Sequence, residues 1–165
     1  MKLSALAIAI LGLCCIASAD TLKDQLTAMN GAVEHALLAK DINAFDKVMK
    51  PIIAPNFKYI DEGKTSDYKT MLAGMKMGVG QMTKVTVASV KLLSYKTKGN
   101  TGRVTAEHKM LGTVVGADKK SHALAYTGLS TEEYELKNGK WLMVSMSMKT
   151  VKMTMDGRAL PAAGK

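Results

Sequence analysis

Asn138-Gly139, set between two runs of alternating character, constrains this chain more than any other pair of residues. Upstream, Tyr134 and Leu136 alternate with Glu133, Glu135 and Lys137. Downstream, Lys140-Trp141 opens an apolar run that reaches Met148. Asn-Gly supplies the two positive-φ positions of a type I′ turn, whose twist matches that of paired antiparallel strands. The stretch from Ala123 to Met148 is therefore expected to be a strand, a two-residue turn and a second strand, and an antiparallel sheet becomes the centre of the fold.

The first residues read differently. Lys2 gives a positive start, Leu3 to Ile16 is an apolar run of signal-peptide length, and Ala17-Ser18-Ala19 is a small-residue cleavage site before Asp20. The run is too short for a membrane span. Leu13, where a lipoprotein signal needs a small residue, argues against a lipid on Cys14. Residues 1–19 are thus expected to be a signal peptide and the protein to be exported, to periplasm or medium, with no stable membrane insertion after cleavage. Both cysteines leave with that segment, so the mature chain has to rely on a hydrophobic core, which about 145 residues suffice to build. The formal charge is +9, from 23 basic and 14 acidic residues. Lysines carry almost all of it. The chain has two arginines, Arg103 and Arg158, and no interleaved aromatic cluster, so nucleic acid is not an expected partner.

In chain order, Thr21 to Lys40 is a helix with Leu22, Leu26, Met29, Val33, Ala36 and Leu37 on one stripe. His35 lies on the opposite side. Asp41 caps a short second helix carrying Phe45, Val48 and Met49, which Pro51 and Pro55 end. Asn56 to Asp61 alternates as a strand. A third helix is expected to start near Thr65 or Ser66, with Tyr68, Leu72 and Met75 on its buried side and Gly74, Gly78 and Gly80 weakening its end. Those glycines lack the Lys-Ser/Thr of a phosphate loop. Four long strands follow: Thr83 to Thr97, with a bulge expected near Ala88-Ser89, then Arg103 to Val115, Ser121 to Lys137 and Trp141 to Met155. Residues 156–165 read as a flexible tail. Helices at one end and a meander at the other make an α+β domain over residues 20–155. Strands of about fifteen residues must curl, and helices packed into the concave side leave a conical cavity where a ligand sits.

Three local patterns accompany this order of elements: Ala54-Pro55-Asn56-Phe57 leading to Ile60-Asp61-Glu62-Gly63, Thr131-Glu132-Glu133-Tyr134, and Leu136-Lys137-Asn138-Gly139-Lys140-Trp141. With them the chain resembles the nuclear transport factor 2-like superfamily, in its SnoaL-like or ketosteroid-isomerase-like branch, over roughly Leu22 to Met155. The resemblance implies a cone of three N-terminal helices on a strongly curved antiparallel, in part mixed, β-sheet. It implies no single activity, because this fold hosts isomerases, dehydratases and binding modules.

Asp61 ends the first strand on the face of Phe57 and Tyr59. The resemblance implies that an Asp near this position can be a proton-abstracting base; the alternative is a turn aspartate. An isomerase also needs an oxyanion donor. Tyr59 and Tyr126 are candidates, whereas the tyrosine that the family carries in its first helix has no counterpart here. His108 shares a phase with Val104, Ala106 and Met110 and is either an acid–base group or a bonded core histidine. Glu132 shares a phase with Tyr126 and Tyr134 and is either a second cavity acid or solvated. Tyr59, Tyr126, Glu132 and Met110 make up the expected pocket wall. Met75/Met77, Met146/Met148 and Met153/Met155 are Met-x-Met pairs, a pattern that on a strand suits Cu(I); core packing accounts for them better, and Met146 and Met148 continue the phase of Leu142 and Val144. No metal site and no cofactor are expected. The expected function is binding of a small apolar molecule in the cone. The alternatives are an isomerase- or dehydratase-like enzyme with Asp61 as base, and a homodimer through the outer sheet face, with Trp141, Met143 and Tyr95 as members.

Overall fold

The computed structural model describes residues 19–160. The expected signal segment, both cysteines included, lies outside these residues except that Ala19 opens the first helix, and the end of the expected tail lies outside them too. Helix α1 (Ala19–Leu38) buries Leu22, Leu26, Val33 and Ala36, the stripe that its spacing dictates. Helix α2 (Ile42–Met49) begins where the Asp41 carboxylate accepts the amide of Ala44 at 2.9 Å, and it buries Ile42, Phe45 and Met49. A 3₁₀ turn at Lys50–Ile52 feeds strand β1 (Ile53–Asp61), which folds back as β2 (Lys64–Ser66). Helix α3 (Tyr68–Gln81) is capped by Asp67, which accepts the amide of Thr70 at 2.8 Å. Strands β3 (Met82–Lys98), β4 (Thr101–Val115), β5 (Ser121–Lys137) and β6 (Lys140–Met155) form the meander, and β7 (Arg158–Ala159) turns back onto β6.

The sheet order is β2-β1-β6-β5-β4-β3, antiparallel throughout except where β1 runs parallel to β6. Helices α1 and α2 fill one half of its concave side. Trp141, Tyr134, Val104 and Met143 are at most 1% exposed against them, and Gly102 lets them come close: a Cβ there would lie 2.6 Å from Leu22 Cδ2. The Gln25 amide both donates to the Trp141 carbonyl (2.8 Å) and accepts from the Trp141 N–H (3.2 Å), fixing α1 over the start of β6. Along the open edge of β3, Asn30 donates to the Val90 carbonyl (3.3 Å) and Glu34 accepts the Val90 amide (2.8 Å), so α1 also covers an edge that would otherwise be free to pair. The molecule is an α+β cone with an unclosed, mixed sheet.

Several boundaries differ from the sequence reading. Pro55 lies inside β1 and does not precede it; the β1–β6 register jumps between Ile53 and Lys58, and there a residue without an amide proton breaks no ladder bond. Lys64 to Ser66 is a strand because it pairs with the end of β1, which delays α3 until after Asp67. The β3 bulges fall at Thr83, Thr86 and Leu93 and not at Ala88-Ser89, which pair regularly with Met110 and Lys109. The segment from Asp156 begins as a turn and strand β7, not as a tail. The largest correction concerns the outer face. Strand β6 bulges at Val144, so the inward residues are Trp141 and Met143 and then Met146 and Met148, out of phase with Leu142. Trp141 and Met143 are core residues and cannot form a dimer face. Tyr95 packs on the same core, with the Lys23 ammonium 5.6 Å from its ring centre.

Candidate functional site

Between the three helices and the sheet lies a cavity of about 500 Å³. Helix α1 supplies Leu26 and Val33 to its wall, α2 Phe45 and Met49, and α3 Met71, Met75 and Val79. The sheet adds Met110, Met146, Met148 and Met153, so nine of the chain's 13 methionines line one space. Thioethers are apolar, polarisable and free to rotate, a lining that adapts to the shape of its contents. On α3, Gly74 and Gly78 also face the cavity, and a Cβ built on either meets nothing within 4 Å.

The β4–β5 ladder runs from Thr101↔Glu135 to Val115↔Ser121 without a register shift, so alternate residues keep one face. That regularity brings His108, Met110, Tyr126 and Glu132 to the cavity, where Tyr59 and Asp61 join them from β1. All six residues singled out from the sequence therefore line one space. Two partners were missed. Ser130, fully buried, donates to Glu132 Oε1 (3.0 Å), and the Tyr134 hydroxyl donates to Oε2 (2.6 Å). Both share the phase of Glu132, which was the available signal. With the Ser130 proton committed to Glu132, the 2.8 Å contact of His108 Nε2 with Ser130 Oγ makes Nε2–H the donor; Nε2 is also 3.5 Å from Glu132 Oε1. Burial, and then the Glu132 charge, push the Tyr134 hydroxyl well above its ordinary range. Because Ser130 is fully buried it is a link in this chain and not a nucleophile.

The second polar group is Asp61 with two tyrosines. Burial pushes the Tyr59 hydroxyl up; the Asp61 charge, Tyr126 and a hydrogen bond to Asp61 add to the effect. Tyr126 is raised by burial and then by Asp61. Both hydroxyls thus keep their protons beside a carboxylate, and Tyr59 is the one hydrogen-bonded to it. Tyr126 needs Gly128 to lie where it does: a Cβ on Gly128 would fall 2.6 Å from the Tyr126 hydroxyl and 2.7 Å from Met148 Cε. No group of three or more His, Cys, Asp or Glu among the described residues is placed to hold a metal ion.

No protein-family model and no curated protein matches the sequence. Solved structures do resemble it in shape. The Kfla4162 protein from Kribbella flavida superposes with a TM-score of 0.62 at 11% identity over 80% of this chain and 92% of its own. A type 2 hexachlorocyclohexane dehydrochlorinase (LinA) gives 0.58 at 12% identity, over 88% and 96%. A nuclear transport factor 2 (NTF2-like) superfamily protein from Salmonella enterica gives 0.54 at 15% identity, over 90% and 99%. At such identities the likeness is one of fold, and the chain carries the NTF2-like fold.

Proposed function

We propose that this protein is exported and binds a small apolar molecule inside its cone. The observation that carries the reading is the cavity itself: about 500 Å³, walled mainly by thioether, aliphatic and aromatic side chains, with its ionisable groups on the sheet. Pockets of this size and make-up suit drug-sized ligands. Native mass spectrometry of the mature protein from its exported fraction, followed by uptake assays over a lipid, steroid and polyketide panel, tests it. A bound mass, or saturable uptake that Gly78→Phe abolishes by filling the cavity, is the expected outcome. An empty protein that takes up no member of the panel overturns the reading.

One arrangement favours a second reading. Asp61 faces protonated tyrosines in a cavity that His108 also reaches, with Glu132 behind the histidine. A base and hydroxyl donors around one space are the parts of an isomerase- or dehydratase-like site. A putative dehydratase from Streptomyces avermitilis shares the fold, with a TM-score of 0.52 at 14% identity. If the cone is catalytic, Asp61→Asn abolishes turnover of the panel compound while circular dichroism stays unchanged. Turnover that survives both Asp61→Asn and His108→Gln rejects an acid–base role for either residue.

A further inference from the structure

We propose that the cone selects a protonated amine: its ligand carries one ammonium group on an apolar body, and Asp61 is the group that receives it. The inference rests on the apolar-ligand reading above and adds the chemistry of the ligand's polar end.

The argument starts from where the charges lie. The chain is strongly basic, yet the cavity wall holds two carboxylates, Asp61 and Glu132. Glu132 is complete, with each oxygen taking a hydroxyl donor from its own strand and His108 beside it. Asp61 is not. Among the described residues no Lys, Arg or His nitrogen lies within 4.0 Å of its oxygens. Lys64 stands opposite it in the β1–β2 hairpin and Lys109 reaches the cavity wall, but both side chains are exposed and neither forms the pair. The neighbours of Asp61 are instead Tyr59 and Tyr126.

Asp61 is half-buried, and a carboxylate facing an apolar space with no cation within 4.0 Å receives no counter-charge from the protein. A cation entering that space supplies the missing charge, and the tyrosine rings offer an ammonium their negative faces. A ligand carboxylate would meet repulsion at the same place, and a hydroxyl would gain only a neutral bond. The expected order is therefore amine, then alcohol, then acid. The adaptable methionine walls place no strong demand on the shape of the apolar body.

The test is isothermal titration of the mature protein at pH 7 with decylamine, decanol and decanoate, which share a chain and differ at one end. Decylamine is expected to bind at least about tenfold more tightly than decanol, the size of a charge-assisted hydrogen bond, and decanoate least. In Asp61→Asn, with its fold verified by circular dichroism, the decylamine and decanol affinities should converge. Should that variant fail to fold, the carboxyl ¹³C resonance of Asp61 in the wild type should move with decylamine and stay still with decanol. Equal affinity for amine and alcohol, tighter binding of decanoate, an amine preference that survives in folded Asp61→Asn, or an unmoved Asp61 resonance would each overturn the inference and leave the apolar-ligand reading standing. No binding of any of the three compounds also overturns the inference, and the apolar-ligand reading falls with it only if the lipid, steroid and polyketide panel is refused as well.

Discussion

Glu132 shows how much one residue can decide. It is 4% exposed, and its two oxygens are the acceptors for Ser130 and Tyr134. Removing them leaves two buried donors without partners, each worth about 1–3 kcal/mol. Glu132→Ala should therefore lower stability by about 2–4 kcal/mol in urea unfolding, and Tyr134→Phe by about 2 kcal/mol, because it loses a single bond to a charged acceptor. If both changes are silent, the chain from His108 to Tyr134 carries no stability. The phase that Glu132 shares with Tyr126 and Tyr134 could be read from the sequence, but its inward direction could not, because that depends on β5 pairing with β4 without a bulge. Nor could its partners: Ser130 and Tyr134 are ordinary strand residues until the fold shows that helices seal them from water. Asp61 was legible for a different reason, as a carboxylate closing an alternating strand. That no cation comes within reach of it depends on chain packing and is invisible in one dimension.

Among the elements, the two turns at the far end of the sheet are clipped by His122. Its Nδ1 lies 2.6 Å from Asp156 and its Nε2 2.9 Å from Asp118, joining the β4–β5 turn to the β6–β7 turn. Those hydrogen bonds raise the histidine above its usual 6.5 and hold both aspartates below their usual 3.8. A raised histidine contributes stability that is complete below pH 6.5 and fades as pH climbs through its folded value. A lowered carboxylate contributes above 3.8 and fades as pH drops through its own. The clip is therefore complete between about pH 3.8 and 6.5. Hydrogen exchange at the Ala123 and Asp156 amides should quicken in His122→Gln at pH 6, and the difference from the wild type should shrink as pH climbs above 6.5. Exchange that is unaffected at pH 6 refutes the clip. The sequence made the Asn138-Gly139 turn plain, since both residues take positive φ (52° and 76°) with Lys137 opposite Lys140. It did not disclose the bulges at Val144 and Lys149. A bulge is a relation between two strands, and each one reverses the faces of everything beyond it. That is why Trp141 and Met143 read as surface residues and lie in the core.

On the scale of the whole molecule, the cavity depends on one helix being held loosely. Only Val79 of α3 is fully buried; its start is anchored by the Tyr68 hydroxyl bond to Asp46 (2.9 Å) and the edge-on contact of Phe57 with Tyr68 (6.1 Å). Gly74 and Gly78 have room for a side chain and lack one. Replacing either with Ala should stabilise the protein by about 0.5–1 kcal/mol in thermal or urea unfolding, and a loss of stability would mean that the helix needs its glycines for its backbone shape. The parallel pairing of β1 with β6 has a consequence in time. The Gln25–Trp141 bonds span 116 residues, and β1 has no partner but its own short hairpin until β6 exists. A ribosome delivers these pieces in order, so α1, α2 and β1 wait with their apolar stripes exposed while the meander is still being made. The keystone is the last long strand, and the nascent chain remains open, within reach of chaperones and proteases, until that strand emerges.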